Sequence, residues 1–306
     1  MSTDTHASRE HRPSRRQFGA ATLLLLAAGC GGVSGADKSA VLYFSAIPDA
    51  NKSDLAEKYG KIATHLSEEL GITVEYKPSS SYGASVEAFK NGDIQLAWFG
   101  GVTGVQARQA VEGAEAIAQG KVDPEYISYF IAHVDSGIEP GDEFPMGLEG
   151  KTFTFGSSDS TSGRVMPEFF IRENTGKTPE EFFGHPNRFS NAHDLTALQV
   201  QEGTVDAGAL SYKKYDKMVA TGDIDPEVCR IVWRTPGYPD YNWTAHPVLD
   251  ERYGAGFTKK LQDTLVAIDD AELLDALLRP EGMIPAQSSD FDAIAETMKV
   301  VDFARD

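Results

Sequence analysis

The sequence predicts an α/β protein of two lobes. Strand-like and helix-like runs alternate from Ala40 to Val134, and the alternation restarts after a Gly/Pro-punctuated acidic segment at Gly137 to Gly147. About 270 residues are available for this pattern once an N-terminal leader is set aside, enough for two medium domains with sizeable cores.

Ala40 to Ala46 is an apolar, β-rich run. Ser53 is placed to cap a helix reaching Leu70, because Leu55, Tyr59, Ile62, Leu66 and Leu70 recur at helical spacing; Gly71 ends it and Thr73 to Lys77 follows as a strand. Tyr82 to Lys90 reads as helix, Asn91-Gly92-Asp93 as a turn, and Ile94 to Phe99 as a strand running into Gly100-Gly101. Val102 to Glu112 is a further helix, and Tyr126 to Val134 a strand rich in β-branched and aromatic residues.

In the second set, Lys151 to Phe155 alternates polar and apolar side chains, Gly156 breaks the run, and a helix extends from Met166 to Asn174. His193 to Gln201 reads as helix, Val205 to Leu210 as strand, Tyr212 to Ala220 as helix and Arg230 to Arg234 as strand. Pro236 to Pro247 is a turn-rich return carrying Tyr238, Tyr241, Trp243 and His246. Phe257 to Ile268 and Phe291 to Phe303 close the chain as helices packed back on the first lobe. The expected division is 40–135 with 236–306 for one lobe and 136–235 for the other.

The leader is an export address. Arg9, Arg12, Arg15 and Arg16 precede an apolar run from Ala20 to Ala28 that is too short to span a bilayer as a mature helix. Ser14-Arg15-Arg16-Gln17-Phe18 fits the twin-arginine signature. Leu26-Ala27-Ala28-Gly29-Cys30 resembles a lipoprotein processing box, with Ala27 where Leu is usual, so 1–29 is read as signal peptide, Cys30 as the lipidated residue and 30–39 as a flexible tether. With Cys30 on lipid, only Cys229 remains, so no disulfide framework is available and Cys229 is read as a buried thiol. The net charge of −18 becomes −20 once the four arginines and two acidic residues of 1–29 are removed. Such acidity argues against nucleic acid or an anionic membrane surface as partner.

One stretch nevertheless invites an anion. Between the strand at Lys151 to Phe155 and the helix at Met166 lies Ser157-Ser158-Asp159-Ser160-Thr161-Ser162-Gly163. A helix start leaves its first N–H groups unpaired and carries the positive end of the dipole, and Ser160, Thr161 and Ser162 place hydroxyl donors beside them. Ser, Thr and Asp also cap ordinary helices, so this stretch alone leaves a plain N-cap open.

Four segments in this order behind a lipoprotein-like leader resemble the phosphonate, phosphite and selenate type of ABC-transporter substrate-binding protein. They are Ser45-Ala46-Ile47-Pro48-Asp49; Tyr82 with Gly92-Asp93-Ile94-Gln95-Leu96-Ala97-Trp98-Phe99-Gly100-Gly101; Gly156 to Gly163; and His193-Asp194 with Gly203-Thr204-Val205-Asp206-Ala207-Gly208-Ala209. The resemblance spans nearly all of residues 40 to 300. It implies the type II periplasmic-binding fold, with two mixed-sheet lobes flanked by helices, a ligand cleft between them and hinge closure. It further implies oxyanion contacts from Ser160, Thr161, Ser162, Tyr82 and His193, a permease as partner, an extracytoplasmic monomer held to the membrane only by its lipid, and no enzymatic activity. An oxyanion held by neutral donors and a helix dipole needs no charged pocket, so the global acidity does not oppose it.

Around this set several roles stay open. Trp98 and Phe99 line the cleft or belong to the core; Tyr212, Tyr241 and Trp243 are candidate ligand contacts by position in predicted loops, or plain packing; His193 is a ligand contact, or a helix-capping or surface histidine. Asp159 caps the helix, turns to solvent, or accepts a proton from a protonated oxyanion, and these outcomes imply different ligands. Ile47-Pro48-Asp49 and Tyr238 to His246 look most like the selenate branch. An anion sensor on the same scaffold is an alternative, and so is a serine hydrolase using Ser160, His193 and Asp206, which lacks a nucleophile-elbow setting. The seven histidines are scattered without metal-ligand spacing, and no cofactor is expected.

Overall fold

The computed structural model describes residues 40–303. Residues 1–39, where a signal peptide, a lipidated Cys30 and a tether are expected, lie outside the described residues. The chain first supplies β1 (Leu42–Ala46), α1 (Lys52–Leu70), β2 (Val74–Tyr76), α2 (Tyr82–Lys90), β3 (Leu96–Phe99), α3 (Gly101–Ala110) and β4 (Glu115–Gly120). It crosses at 121–127 and builds β5 (Ser128–His133), β6 (Phe153–Thr154), α4 (Met166–Thr175), α5 (Pro179–Phe183), α6 (His193–Gln201), β7 (Ala207–Ser211), α7 (Tyr212–Thr221) and β8 (Cys229–Arg234). It returns at 235–241 for β9 (Asn242–Ala245), α8 (Val248–Tyr253), α9 (Phe257–Val266), α10 (Ala271–Ala276), β10 (Met283–Pro285) and α11 (Asp292–Val300).

Two mixed sheets result, ordered β10-β4-β9-β3-β1-β2 and β6-β7-β5-β8, each flanked by helices. In the first, β1 runs parallel to β2 and β3, while β9 runs antiparallel between β3 and β4. Trp98 of β3 faces Trp243 of β9 with ring centroids 5.3 Å apart, so the register of the central pair is set by the largest side chains in the core. In the second sheet Phe130 of β5 packs on Phe153, Phe144 and Trp233.

Several elements differ from the sequence expectation. Asn51, not Ser53, caps α1, its Oδ1 accepting from Ser53 N at 2.9 Å. β5 lies inside the second sheet, although its residues fall within the 40–135 assigned to the first lobe; the first crossing therefore precedes Ser128. The Gly137 to Gly147 segment does not join the lobes: Gly141 N donates to Val232 O and Phe144 packs on Phe130 and Trp233, all within the second lobe. The return segment contains a central strand. Asn242 and Thr244, both fully buried in β9, break the apolar pattern that would have revealed it, and Arg108 Nη1 satisfies them at 3.1 Å each. Cys229 is buried and free, and burial pushes its thiol up to about 12.

Candidate functional site

The parallel strands β1 and β3 both end at the gap between the sheets, the position where open α/β sheets present loops and helix starts to a ligand. β3 runs through Gly100 into α3, whose first two amides are taken by side chains from elsewhere. Gly101 N donates to Asp240 Oδ1 at 2.9 Å and Val102 N donates to Thr161 Oγ1 at 3.0 Å. Gly100 permits this approach, since a Cβ there would lie 3.2 Å from Thr161 Oγ1 and 3.3 Å from Asp240 Oδ1.

From the second lobe, Ser160 caps a wide π-helical turn, Thr161 to Val165, that runs on into α4. The helix therefore begins at Thr161, five residues before the expected Met166. Ser160 Oγ accepts from Gly163 N at 2.9 Å, and Ser162 O accepts from the Ser128 hydroxyl at 2.7 Å. His193, first residue of α6, lies against this turn: a Cβ on Gly163 would stand 3.1 Å from His193 Cε1. His193 N donates to Asp49 O at 3.1 Å, tying α6 to the loop after β1. His193 Nδ1 accepts from Ser211 N at 3.3 Å, which fixes the tautomer and leaves Nε2 as a donor. Burial drives the imidazole pKa down to about 4, with Asp49 opposing and Lys214 adding, so the ring is neutral near pH 7. Tyr82, first residue of α2, completes the set; burial and then Asp49 push its phenol well above the usual range, with the nearby Ser160 hydroxyl opposing, although the Tyr82 and Ser160 hydroxyls do not meet in hydrogen-bond geometry.

Tyr82, Ser160, Thr161, Ser162 and His193 are all at least 98% buried, and two lobes supply them. Among the described residues Tyr82 Oη, His193 Nε2 and Asp240 Oδ2 are buried without hydrogen-bond partners, an arrangement that native interiors rarely leave unless something else satisfies it. Asp240 is the member that the sequence reading missed. Burial raises its carboxyl to about 7, against the Gly101 amide and the Thr161 hydroxyl, with Asp123 adding and Arg279 opposing. Its only sequence signal was the aromatic content of the return segment around it.

The remaining candidates stand elsewhere. Trp98 is buried in the first lobe, stacked on Tyr241 at 5.5 Å. Tyr212 is half-buried and packs on Tyr126 at 4.8 Å and Tyr129 at 6.0 Å. Asp159 is half-buried at the rim, its Oδ2 3.4 Å from Ser158 Oγ and facing Gly83 of α2. No Ser-His-Asp relay forms: Asp206 accepts from Thr152 N at 2.8 Å and from Thr152 Oγ1 at 2.7 Å, and His193 Nδ1 is engaged by Ser211.

The rim of the cleft carries ion pairs between the lobes. Lys217 of α7 meets Asp275 of α10 at 3.0 Å, and Lys213 pairs with Glu281. A cavity of about 380 Å³ opens beside Pro48, Ser81, Tyr82, Ser157 and Asn191.

A family model for the periplasmic substrate-binding protein of phosphonate ABC transporters matches residues 44–291. The probable ABC transporter phosphite binding protein PhnD1 of Prochlorococcus marinus is 34% identical over 263 residues, covering 84% of this chain and 88% of its own. The phosphate-import protein PhnD of Mycolicibacterium smegmatis is 30% identical, covering 71% of each chain. The solved structure of the P. marinus protein in complex with methylphosphonate superposes with a TM-score of 0.81, covering 86% of this chain and 98% of that one.

Proposed function

The chain belongs to the family of periplasmic substrate-binding proteins of phosphonate ABC transporters, and from that premise we propose that it captures a protonated phosphorus oxyanion, phosphite or a small phosphonate, by closing its two lobes. Its relatives are transport proteins rather than enzymes. The observation that carries the ligand class is Asp240, a fully buried carboxylate with one oxygen unpartnered among neutral donors. Ser160, Thr161, Ser162, Tyr82 and His193 Nε2 supply donors to the anion's oxygens, and α2, α3 and the turn at Thr161 point their N-termini toward them. Sulfate and selenate offer only acceptors near neutral pH, whereas phosphite and phosphonates retain an O–H that needs an acceptor, which Asp240 provides.

Closure rests on the placement of these donors on both lobes, and the Lys217–Asp275 and Lys213–Glu281 pairs hold the rim. Calorimetry with methylphosphonate, phosphite, selenate and sulfate tests the reading, with solution scattering alongside. The phosphorus ligands should bind and shrink the radius of gyration. Binding of selenate or sulfate in preference to both phosphorus ligands overturns the ligand class; binding with an unchanged radius overturns closure.

Extracytoplasmic action beside a permease follows from the family, and we read Cys30 as the residue that anchors the protein by lipid after twin-arginine export. Cys30→Ala should move the protein from the membrane to the soluble fraction. Unchanged membrane association would remove the anchor from the account.

A further inference from the structure

We propose that Lys217 and Asp275 form a latch across the cleft: positioning residues that touch no ligand, yet set how long it stays and make its release quicken with salt. The latch rests on the capture-by-closure reading of the site.

The anion donors are at least 98% buried, so a bound oxyanion leaves only when the lobes part. Whatever favours the closed arrangement over the open one therefore lengthens residence. Beside the donors the lobes are joined by the bond from His193 N to Asp49 O. A groove of about 530 Å³ follows the same gap, lined by Ala50 and Asp194, the next residues along, together with Lys217 and Asp275.

Charge is divided unevenly across this gap. From the second lobe, α7 brings Lys213, Lys214 and Lys217. The first lobe meets them with Asp54 and Glu57 of α1, Glu272 and Asp275 of α10, and Glu281. Lysines on the first-lobe side are Lys58 and Lys61, and Lys61 is engaged there by Glu57 and Glu272. Carboxylates on the second-lobe side are Asp194, which accepts from Leu195 N, and Asp223, which accepts from the Thr221 hydroxyl. One face thus sets five carboxylates against two lysines, and the face opposite sets three lysines against two carboxylates, so the lobes attract here although the chain as a whole is strongly acidic.

Within this field Lys217 and Asp275 meet in two-pronged geometry, Nζ lying 3.0 Å and 3.2 Å from the two carboxylate oxygens. Lys213 and Glu281 also pair across the gap, but nearer the first crossing, where neighbouring Tyr212 packs on Tyr126 at 4.8 Å. Lys217 stands four residues on, about 6 Å further along α7. The same rotation of the lobes carries it further and parts it from Asp275 first. Lys217 is 37% exposed and Asp275 51%, so the pair contributes modestly, and salt reaches it.

The test times the release of radiolabelled methylphosphonate into excess unlabelled ligand, by rapid filtration, from about 50 to about 500 mM NaCl. Release from the native protein should quicken with salt. Lys217→Met should speed release about two- to fivefold at low salt and flatten the salt dependence. Lys217→Glu, set against Asp275 and Glu272, should speed it further. Lys217→Glu combined with Asp275→Lys should return it toward the native rate, a rescue that lost packing does not give. The latch is overturned if native release ignores salt, if both single variants release within about 1.5-fold of native at low salt, or if the swapped pair releases as fast as Lys217→Glu alone. A native protein that binds no methylphosphonate would instead overturn the oxyanion reading. Binding with an unchanged radius of gyration would overturn closure, and the latch with it.

Discussion

Asp240→Asn is expected to weaken methylphosphonate and phosphite binding by roughly 10- to 150-fold, the equivalent of losing one hydrogen bond to a charged group, about 1.5–3 kcal/mol. The amide keeps one acceptor oxygen for the Gly101 amide and turns an N–H toward the space that Oδ2 faced. The same change should bring selenate and sulfate binding up, because a donor now meets an anion without protons. pH gives a second readout. The folded pKa of Asp240, about 7, is raised above its unfolded value, so the native state holds an extra proton between the two. Stability from this group is therefore present below the unfolded pKa and lost as pH rises through about 7 in the protein without ligand. A protonated phosphonate brings its own proton, whereas sulfate or selenate must recruit one to Asp240 and should lose affinity as pH climbs past 7. Calorimetry of native and variant protein across pH 5.5–8.5 checks both signs. Equal phosphonate affinity in native and variant would remove Asp240 from the site.

Arg279→Met should cost about 3–5 kcal/mol of stability, since it leaves the Asp123 carboxylate buried and unpaired. Both side chains are at least 98% buried. Arg279 also donates from Nη1 to Leu277 O and Leu278 O at 3.0 Å and lies under Tyr241 at 4.7 Å, so its loss strips several partners at once. At about 2–4 °C per kcal/mol for a chain of this size, the melting temperature should fall by roughly 6–20 °C. Adding Asp123→Asn should recover much of that drop by removing the orphaned charge, while Asn still accepts from Gly120 N. A fall under about 3 °C in the single variant would show that the pair is solvated or replaceable.

Much of the fold was legible because its elements carry strong local signals. The boundaries of α2 and α6 coincide with the expected ones, since Tyr82 follows a capping Ser81 and His193 follows an extended Ala192. β9 was not legible, because its Asn242 and Thr244 are buried by virtue of a distant arginine that no window of neighbouring residues contains. β4 and β10 were missed for a related reason: Glu115–Gly120 and Met283–Pro285 are short, and they become strands through pairing with each other and with β9. At the site, hydroxyls at a helix start announce themselves in sequence, which made Ser160, Thr161 and Ser162 candidates, and the family resemblance added Tyr82 and His193; the fold buries all five. Asp240 did not announce itself. A lone aspartate after a proline is ordinary turn chemistry, and only the fold brings its carboxylate to the first amide of α3.

The antiparallel β9 between β3 and β4 also orders events during synthesis. Residues 128–234 contain every strand of the second sheet, so that lobe can complete itself from an unbroken stretch of nascent chain. The first sheet cannot: β3 and β4 share no edge, and both wait for residues 242–245 to enter between them. Although β2, β1 and β3 can pair as soon as they emerge, the first sheet closes last, and until the last third of the chain emerges the edges of β3 and β4 that flank β9 remain open to any strand that reaches them.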